Sequence, residues 1–454
     1  MKLFIAGICG TFMAGIAQLA RAQGHEVSGC DSNVFPPMST LLASENIPVL
    51  EGYLPEHLDG DIDQVVIGNA LSRGNPLVES ILNDRRVFRS GPQWLHENLL
   101  QDKKVIAVSG THGKTSTSAM VAWILHQCRR KPGYLIGGKP GNFDRSASPG
   151  DSSWFVIEAD EYDTAFFDKR SKFVHYKPDI AVLNNLEFDH ADIFDDIGQI
   201  KTQFHHLLRI VPANGFVVAN HDDGNISSVL GMGCWSQVEP FSIDDPGCRW
   251  FARPLRSDHS AFEICLEGKV TGSVNWACIG RHNMQNALAA VATSHCAGMD
   301  IGQACRALDR FRPSDRRLQL LFQWKSLYLY EDFAHHPTAI RTTVDAVRSR
   351  HPGHEIIVVL EPGSNTMKRG SHGDLLGQSL NQADRTFIYG AGNLDWNPNE
   401  LATRSKVAVQ NDKHALLDQL VLRAGLDAVI LCMSNASFDG IPDALRELLE
   451  TKFI

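Results

Sequence analysis

A chain of 454 residues, 43% hydrophobic and 21% charged, has the composition of a globular protein and is too long for one ordinary core, so two or three domains are expected. Its net charge of −9 leaves no basic footprint for nucleic acid, and anionic ligands must be caught by local groups. No apolar run reaches the roughly 18 residues that span a bilayer, the N-terminus enters a strand-like KLFIAG rather than a signal peptide, and the ten cysteines contain no CxxC pair, which together predict a cytoplasmic protein with reduced thiols and no membrane partner.

The first segment, residues 1–101, opens with a strand, a glycine turn containing Gly7, Gly10 and Thr11, a helix through Ala22 and a second strand ending at Asp31. This is the start of a βαβ unit, with an acid where dinucleotide enzymes bind ribose. The turn lacks the GxGxxG spacing, so it serves a nicotinamide dinucleotide or the pyrophosphate of a UDP-sugar equally well. Further on, VVIGNALSRGNP sets Asn69, Arg73 and Asn75 after a buried strand, where loops of α/β sheets meet ligands; a solvated role for Arg73 is the alternative.

The second segment, residues 102–311, begins with KVIAVSGTHGKTST. A short apolar strand runs into Gly110, Thr111, His112, Gly113, Lys114 and Thr115, and a helical stretch is predicted over 116–128. Strand, glycine turn and helix start form a phosphate cradle, in which Lys114 faces the β/γ-phosphates and Thr115 faces Mg²⁺. One position departs from the usual pattern: Val108 stands where its first glycine belongs. Downstream, SSWFVIEAD delivers Glu158, Asp160, Glu161 and Asp163 to the end of a buried strand, as Mg²⁺ ligands or as a solvated acid cluster. The next strand ends in Asn184, Asn185, Glu187, Asp189, His190 and Asp192, with His190 a metal ligand, a proton carrier or a structural histidine. Helical spacing follows over 197–211, and residues 240–280 read as a local β insertion containing a hairpin. Asn283 and Asn286, three apart at a helix start, share a face that can read an adenine edge; helix capping by Asn283 is the alternative.

The third segment, residues 312–454, alternates strands and helices again. Its strand ends carry Asp332, His335 and His336, then Glu361, Ser364, Asn365 and Lys368, which predicts a further parallel-sheet domain.

Taken in order, GICGTFM, GTHGKTST, EADEYD, NNLEFDHADIF, GRHNMQN, DRR, EDFAHHPTAI and EPGSNTMK resemble the Mur ligase family, the ATP-dependent amino-acid and peptide ligases of peptidoglycan synthesis, over nearly the whole chain. The resemblance implies a three-domain α/β architecture: a Rossmann-like UDP-sugar domain, a central P-loop ATPase-like domain with a β insertion, and a Rossmann-like C-terminal domain that receives the incoming peptide. PPMSTLL, IGNALSRGNP, SGPQWLH, KRSKFVHY, NNLEFDHADIFDD and SNTMK are similar to the branch that joins L-Ala-γ-D-Glu-meso-diaminopimelate to UDP-N-acetylmuramate in murein recycling, more than to the branch that adds L-alanine.

By the same resemblance Gly110 to Thr115 hold ATP phosphates, Glu158 a Mg²⁺ shared with Thr115, and His190 a second Mg²⁺. Asn283 and Asn286 meet adenine, Arg317 the γ-phosphate and Asp332 the ribose, with Lys114, Glu158, His190 and Arg317 as the catalytic set. Gly7, Gly10, Thr11, Asp31, Asn69, Arg73 and Asn75 hold the UDP-sugar; Ser364, Asn365 and Lys368 meet the peptide; His335 and His336 lie at the nucleotide rim. The protein is expected to be a monomer or weak homo-oligomer. Three departures stand out: Lys201 is out of register with the family's carbamylated lysine, Gly363 replaces an expected arginine, and SNASFDG replaces a more glycine-rich loop. A nicotinamide dehydrogenase leaves the second phosphate loop and its acids unemployed; a nucleotide-dependent binding or scaffold protein without turnover is the other alternative.

Overall fold

The computed structural model describes residues 1–35, 38–189, 193–401, 403–425 and 427–453. Three main sheets follow one another along the chain. β1 (Lys2–Ala6), β2 (Glu26–Asp31), β3 (Val49–Glu51), β4 (Gln64–Ile67) and β5 (Phe88–Ser90) form a parallel sheet in the order β3-β2-β1-β4-β5. The order reverses between β1 and β4, so the Gly7–Thr11 turn opens at a switch point, where α/β sheets leave a crevice.

The second sheet is built from β6 (Lys104–Ser109), β7 (Gly133–Leu135), β8 (Ala147–Ser148), β9 (Trp154–Glu158), β12 (Ile180–Leu183), β13 (Phe216–Asn220), β14 (Gln237–Ser242), β15 (Trp250–Pro254), β16 (Ala261–Leu266) and β17 (Lys269–Asn275); β10 (Asp163–Ala165) and β11 (Asp168–Ser171) form a separate hairpin. Its order is β17-β16-β15-β14-β13-β12-β6-β9-β7-β8. The stretch expected as a local insertion instead extends this sheet: β15 pairs parallel to β14, and β16 and β17 add antiparallel beyond it. Hydrogen bonding along the free edge of β14 favours continuation over a detached hairpin. At the centre, β6 lies between β12 and β9, with Val108 beside Glu158 and Ser109 beside Leu183. The interior positions of these strands, residues 105–108, 155–157 and 180–183, are apolar because the sheet is covered on both faces.

The third sheet comprises β18 (Gln319–Trp324), β19 (Leu327–Asp332), β20 (Glu355–Leu360), β21 (Arg385–Tyr389), β22 (Lys406–Gln410) and β23 (Ala428–Met433), ordered β18-β19-β23-β20-β21-β22, with β18 antiparallel. Among the described residues no helix is long and apolar enough to cross a membrane.

The sheets are joined in two different ways. One apolar cluster runs from Met13, Ile16 and Leu19 of the helix Thr11–Ala22 into Leu135, Phe155 and Ala181 of the second sheet, so the first two units share a core. The third sheet has clusters on each of its own faces, to which the second unit contributes Ile279. The first junction passes over Gly15, whose added Cβ would lie 2.1 Å from Leu135 Cδ1 and 3.6 Å from Ala147 Cβ, so the buried Leu135 side chain would have to shift. Gly15→Val is expected to destabilise the protein by about 1–3 kcal/mol through overpacking. A urea midpoint equal to that of the parent would refute this close approach.

Candidate nucleotide and metal site

The carboxyl ends of β6, β9 and β12 deliver three sets of groups to one cleft of about 630 Å³, whose far wall comes from the third unit. From β6 the chain turns through Gly110 (φ 141°) and Gly113 (φ 79°), conformations that glycine adopts without strain. Both glycines also make close approaches: a Cβ at Gly110 would lie 3.0 Å from Asn184 Cβ, and one at Gly113 would lie 2.5 Å from Asn286 Oδ1. Val108, the departure from the usual glycine pattern, is a fully buried residue of β6, so the turn proper begins at Gly110. The helix starts at Lys114, two residues before the expected 116, because the loop feeds it directly from Gly113. That start leaves unpaired first-turn N–H groups facing the cleft, which suits an anion.

Lys114 Nζ donates to Gly110 O at 2.7 Å and lies 3.2 Å from Glu161 Oε2. Burial alone would lower its pKa, but Glu161, Asp160 and Glu158 outweigh burial and hold the amine above its usual range. Thr115 Oγ1 donates to Glu158 Oε1 at 2.9 Å, while Gly137 N donates to the other carboxylate oxygen at 2.8 Å. Arg317 reaches across from the third unit and donates to Thr115 Oγ1 at 3.1 Å, its guanidinium stacked over Phe333. Lys114, Thr115, Glu158 and Arg317 are thus together. His190, and Asp192 with it, lie outside the described residues.

A second polar knot sits beside the loop. Glu187 Oε2 lies 2.9 Å from His112 Nε2 and 3.3 Å from His336 Nδ1, and its Oε1 accepts from Thr338 Oγ1 at 2.9 Å. Burial alone would raise the Glu187 carboxyl, but the His112 hydrogen bond and the neighbouring imidazoles bring it down to about 2. Burial, reinforced by His112, lowers His336 to about 3.

Several expected ligand residues have structural work in the protein. Asn283 and Asn286 both line the cleft; Asn286 is buried with Oδ1 accepting from Asn184 Nδ2 at 3.3 Å, beneath Gly113, and Asn283 donates to Ile279 O at 2.8 Å. Asp332 is buried and accepts from Leu318 N at 2.6 Å and Ala334 N at 2.9 Å, which ties the inter-unit segment to the end of β19. Ser364 caps the short helix Asn365–Lys368; Ser364 and Asn365 line the cleft, with Lys368 three residues further along that helix.

In the first unit Gly7 (φ 81°), Gly10 and Thr11 form the turn into the helix, and Asp31 accepts from Cys9 N at 2.9 Å, Asn33 N at 3.0 Å and Tyr53 OH at 3.2 Å. Asn69 is exposed, Arg73 pairs with Glu79 at 2.9 Å, and Asn75 caps the helix Pro76–Asn83. These groups lie outside the cleft around Lys114.

Two of the departures pack against each other. A side chain on Gly363 would meet Asn435 Oδ1 at 2.6 Å and Ala436 Cβ at 2.9 Å, so the missing arginine and the bulkier SNASFDG loop are one adjustment. Lys172 went unnoticed in the sequence. It is buried, 3.3 Å from Asp160 Oδ2 and close to the rings of Phe12 and Tyr162, and so bridges the first two units. Only the tertiary approach of Phe12 distinguishes it from a surface lysine.

A phosphate loop, an acid-lined strand end and a basic finger from a third unit define a three-unit α/β protein built to handle nucleotide phosphates. Three family models match in order: "Mur ligase family, catalytic domain" over residues 4–103, "Mur ligase middle domain" over 108–294 and "Mur ligase, glutamate ligase domain" over 316–436. The chain belongs to the Mur ligase family. It is 49% identical, over 100% of its own length and 99% of the relative's, to the UDP-N-acetylmuramate–L-alanyl-γ-D-glutamyl-meso-2,6-diaminoheptandioate ligase of Escherichia coli. Identity to the UDP-N-acetylmuramate–L-alanine ligase of Aquifex aeolicus is 31%, over 80% of this chain and 77% of that one. A murein peptide ligase crystal structure from Psychrobacter arcticus, 39% identical, superposes with a TM-score of 0.76 over 99% of this chain and 98% of that one.

Gly113→Ala is expected to weaken ADP binding at least about tenfold, since the left-handed backbone and the contact with Asn286 both resist a methyl group; calorimetric titration with ADP checks this. Acid is expected to loosen the third unit through His335. Burial lowers its pKa to about 4, with Asp189 raising it and His112 and Arg317 lowering it. The unfolded chain therefore takes up that proton first, and stability falls as pH drops from about 6.5 towards 4. The urea midpoint of His335→Asn should vary less with pH across that window than the parent's; identical slopes would refute the assignment.

Proposed function

We propose that this protein is the ATP-dependent ligase that joins L-Ala-γ-D-Glu-meso-diaminopimelate to UDP-N-acetylmuramate, in murein recycling in the cytoplasm. The carrying observation is the convergence of Lys114, Thr115, Glu158 and Arg317 from two units on one cleft. Sequence identity along the full length to a relative bearing that name supports the substrate pair. Residues 1–101, 102–311 and 312–454 act as the UDP-sugar, ATP and peptide units.

The chemistry follows from charge. A lactyl carboxylate is a poor electrophile, so it attacks the γ-phosphorus of ATP; the bond to ADP breaks and an acyl phosphate forms. The amine of the tripeptide then attacks the acyl carbon, and inorganic phosphate leaves. Lys114 supplies positive charge at the β/γ-phosphates, the helix start at Lys114 supplies aligned N–H groups, and Arg317 brings a second cation from the third unit. Asn283 and Asn286 meet adenine and Asp332 the ribose; all three line the cleft. Closure of the third unit excludes water that would hydrolyse the activated acyl group.

The donors at the loop also fit Mg²⁺. Thr115 Oγ1 and the Glu158 carboxylate are hard oxygen ligands at the strand-end position beside the phosphate loop. Thr115 and Glu158 would hold one ion and His190 a second; the ions would offset phosphate charge. Ser364, Asn365 and Lys368 receive the peptide, and the Gly7, Gly10, Thr11 turn with Asp31, Asn69, Arg73 and Asn75 receives the UDP-sugar.

Lys114→Ala is expected to lower turnover by at least about a thousandfold while leaving UDP-N-acetylmuramate affinity within about twofold. Phosphate release and calorimetry read the two effects separately. Mass spectrometry of products from UDP-N-acetylmuramate and ATP with either L-alanine or the tripeptide decides the amine substrate. A tripeptide adduct without an alanyl adduct is expected; the reverse would assign the alanine-adding reaction.

A further inference from the structure

His112, Glu187 and His336 come from three separate stretches and two units. His112 is in the phosphate loop, Glu187 follows β12, and His336 caps the helix Pro337–Arg350 of the third unit. Their ligand atoms all lie within 4.8 Å of one another. Glu187 Oε1 is held by the Thr338 hydroxyl, which leaves Oε2 turned to both imidazoles. A carboxylate oriented by an outer hydrogen bond is the usual preparation of a metal ligand.

Hydrogen bonding alone does not satisfy this knot. His336 Nδ1 lies 3.3 Å from Thr338 N and 3.3 Å from Glu187 Oε2. One ring nitrogen cannot accept from the amide and donate to the carboxylate at once, so one of these contacts always sets two lone pairs or two protons against each other. A cation among the three ligand atoms turns the contact between Nδ1 and Oε2 into attraction, and Nδ1 then no longer accepts from Thr338 N.

We propose that His112, Glu187 and His336 form a binding site for a borderline divalent ion of the Zn²⁺ type, distinct from the oxygen-lined Mg²⁺ position at Thr115 and Glu158. Two imidazoles and one carboxylate suit Zn²⁺, Co²⁺ or Ni²⁺, and leave a fourth position open. Mg²⁺ prefers oxygen ligands and keeps its water, so it competes poorly there. A tetrahedral site has ligand separations of about 3.3 Å, and small side-chain shifts reach it from the observed spacing. Because two ligands belong to the second unit and one to the third, the bound ion staples the third unit to the phosphate loop. The ion thereby slows the opening that admits substrates and releases products.

The test is a Co²⁺ titration of the full-length protein in saturating Mg²⁺ without nucleotide, followed by visible absorption. One Co²⁺ per chain is expected, with the d–d bands of nitrogen and oxygen ligands and no thiolate charge-transfer band. His336→Asn should weaken that binding at least about tenfold; asparagine preserves the helix cap, so folding is retained. Glu187→Gln provides an independent second variant, and Zn²⁺ should slow parent turnover far more than that of His336→Asn. A titration that neither substitution alters, the absence of Co²⁺ binding, or a thiolate band would each overturn the site. None of these optical outcomes depends on which amine the enzyme uses.

Discussion

The half-buried ammonium of Lys114, its side chain 13% exposed at the cleft, is the constraint to which the central unit answers. A charge so far withdrawn from water is unfavourable unless carboxylates lie near it, and here Glu158, Asp160 and Glu161 do so from the end of the neighbouring strand. The arrangement exists only if β6 and β9 keep the register that sets Val108 beside Glu158. It also carries a consequence for function. Three acids near the place where a polyphosphate must bind repel it, so further cations are needed. Arg317 provides one across the cleft, and the oxygen donors Thr115 and Glu158 suit a divalent ion.

The two junctions differ in kind, and the difference matches what a multi-substrate ligase requires. Between the first and second units Gly15 allows the helix Thr11–Ala22 to lie directly on Leu135 and Ala147, and Lys172 is buried between Phe12 and Tyr162. Separating them would expose a shared core. The third unit meets the second through polar contacts, among them Arg317 to Thr115, Thr338 to Glu187, and Arg350 to Asp258 at 2.8 Å, beside the apolar Ile279. Polar contacts can be exchanged with water at small net change in free energy, so this is the boundary suited to opening and closing. Both polar knots of the cleft, the one around Thr115 and the one around Glu187, span it.

Much of the site was legible because phosphate binding imposes local rules. An apolar strand followed by glycines and Lys114-Thr115 leaves little else for the backbone to do, and acids after buried strands must face the same sheet edge. What the sequence did not show is that several of these side chains also bond within the protein. Asp31 and Asn75 satisfy backbone N–H groups of their own turns. Asp332 does the same for the inter-unit segment, and Asn286 accepts from Asn184 beneath Gly113 while also lining the cleft. A polar residue at a strand or helix end looks alike in sequence whether it caps backbone or waits for a ligand.

Sequence by itself determined the alternation of strands and helices, the phosphate loop and the two acid-rich strand ends, because periodicity and turn chemistry act over a few residues. Tertiary structure alone decided that Arg317 reaches Thr115, that Gly363 and Ala436 share one space, and that His112, Glu187 and His336 meet. Those neighbours lie between 73 and 224 positions apart along the chain. Their encounter depends on strand order and on how the third unit docks, which no local pattern encodes.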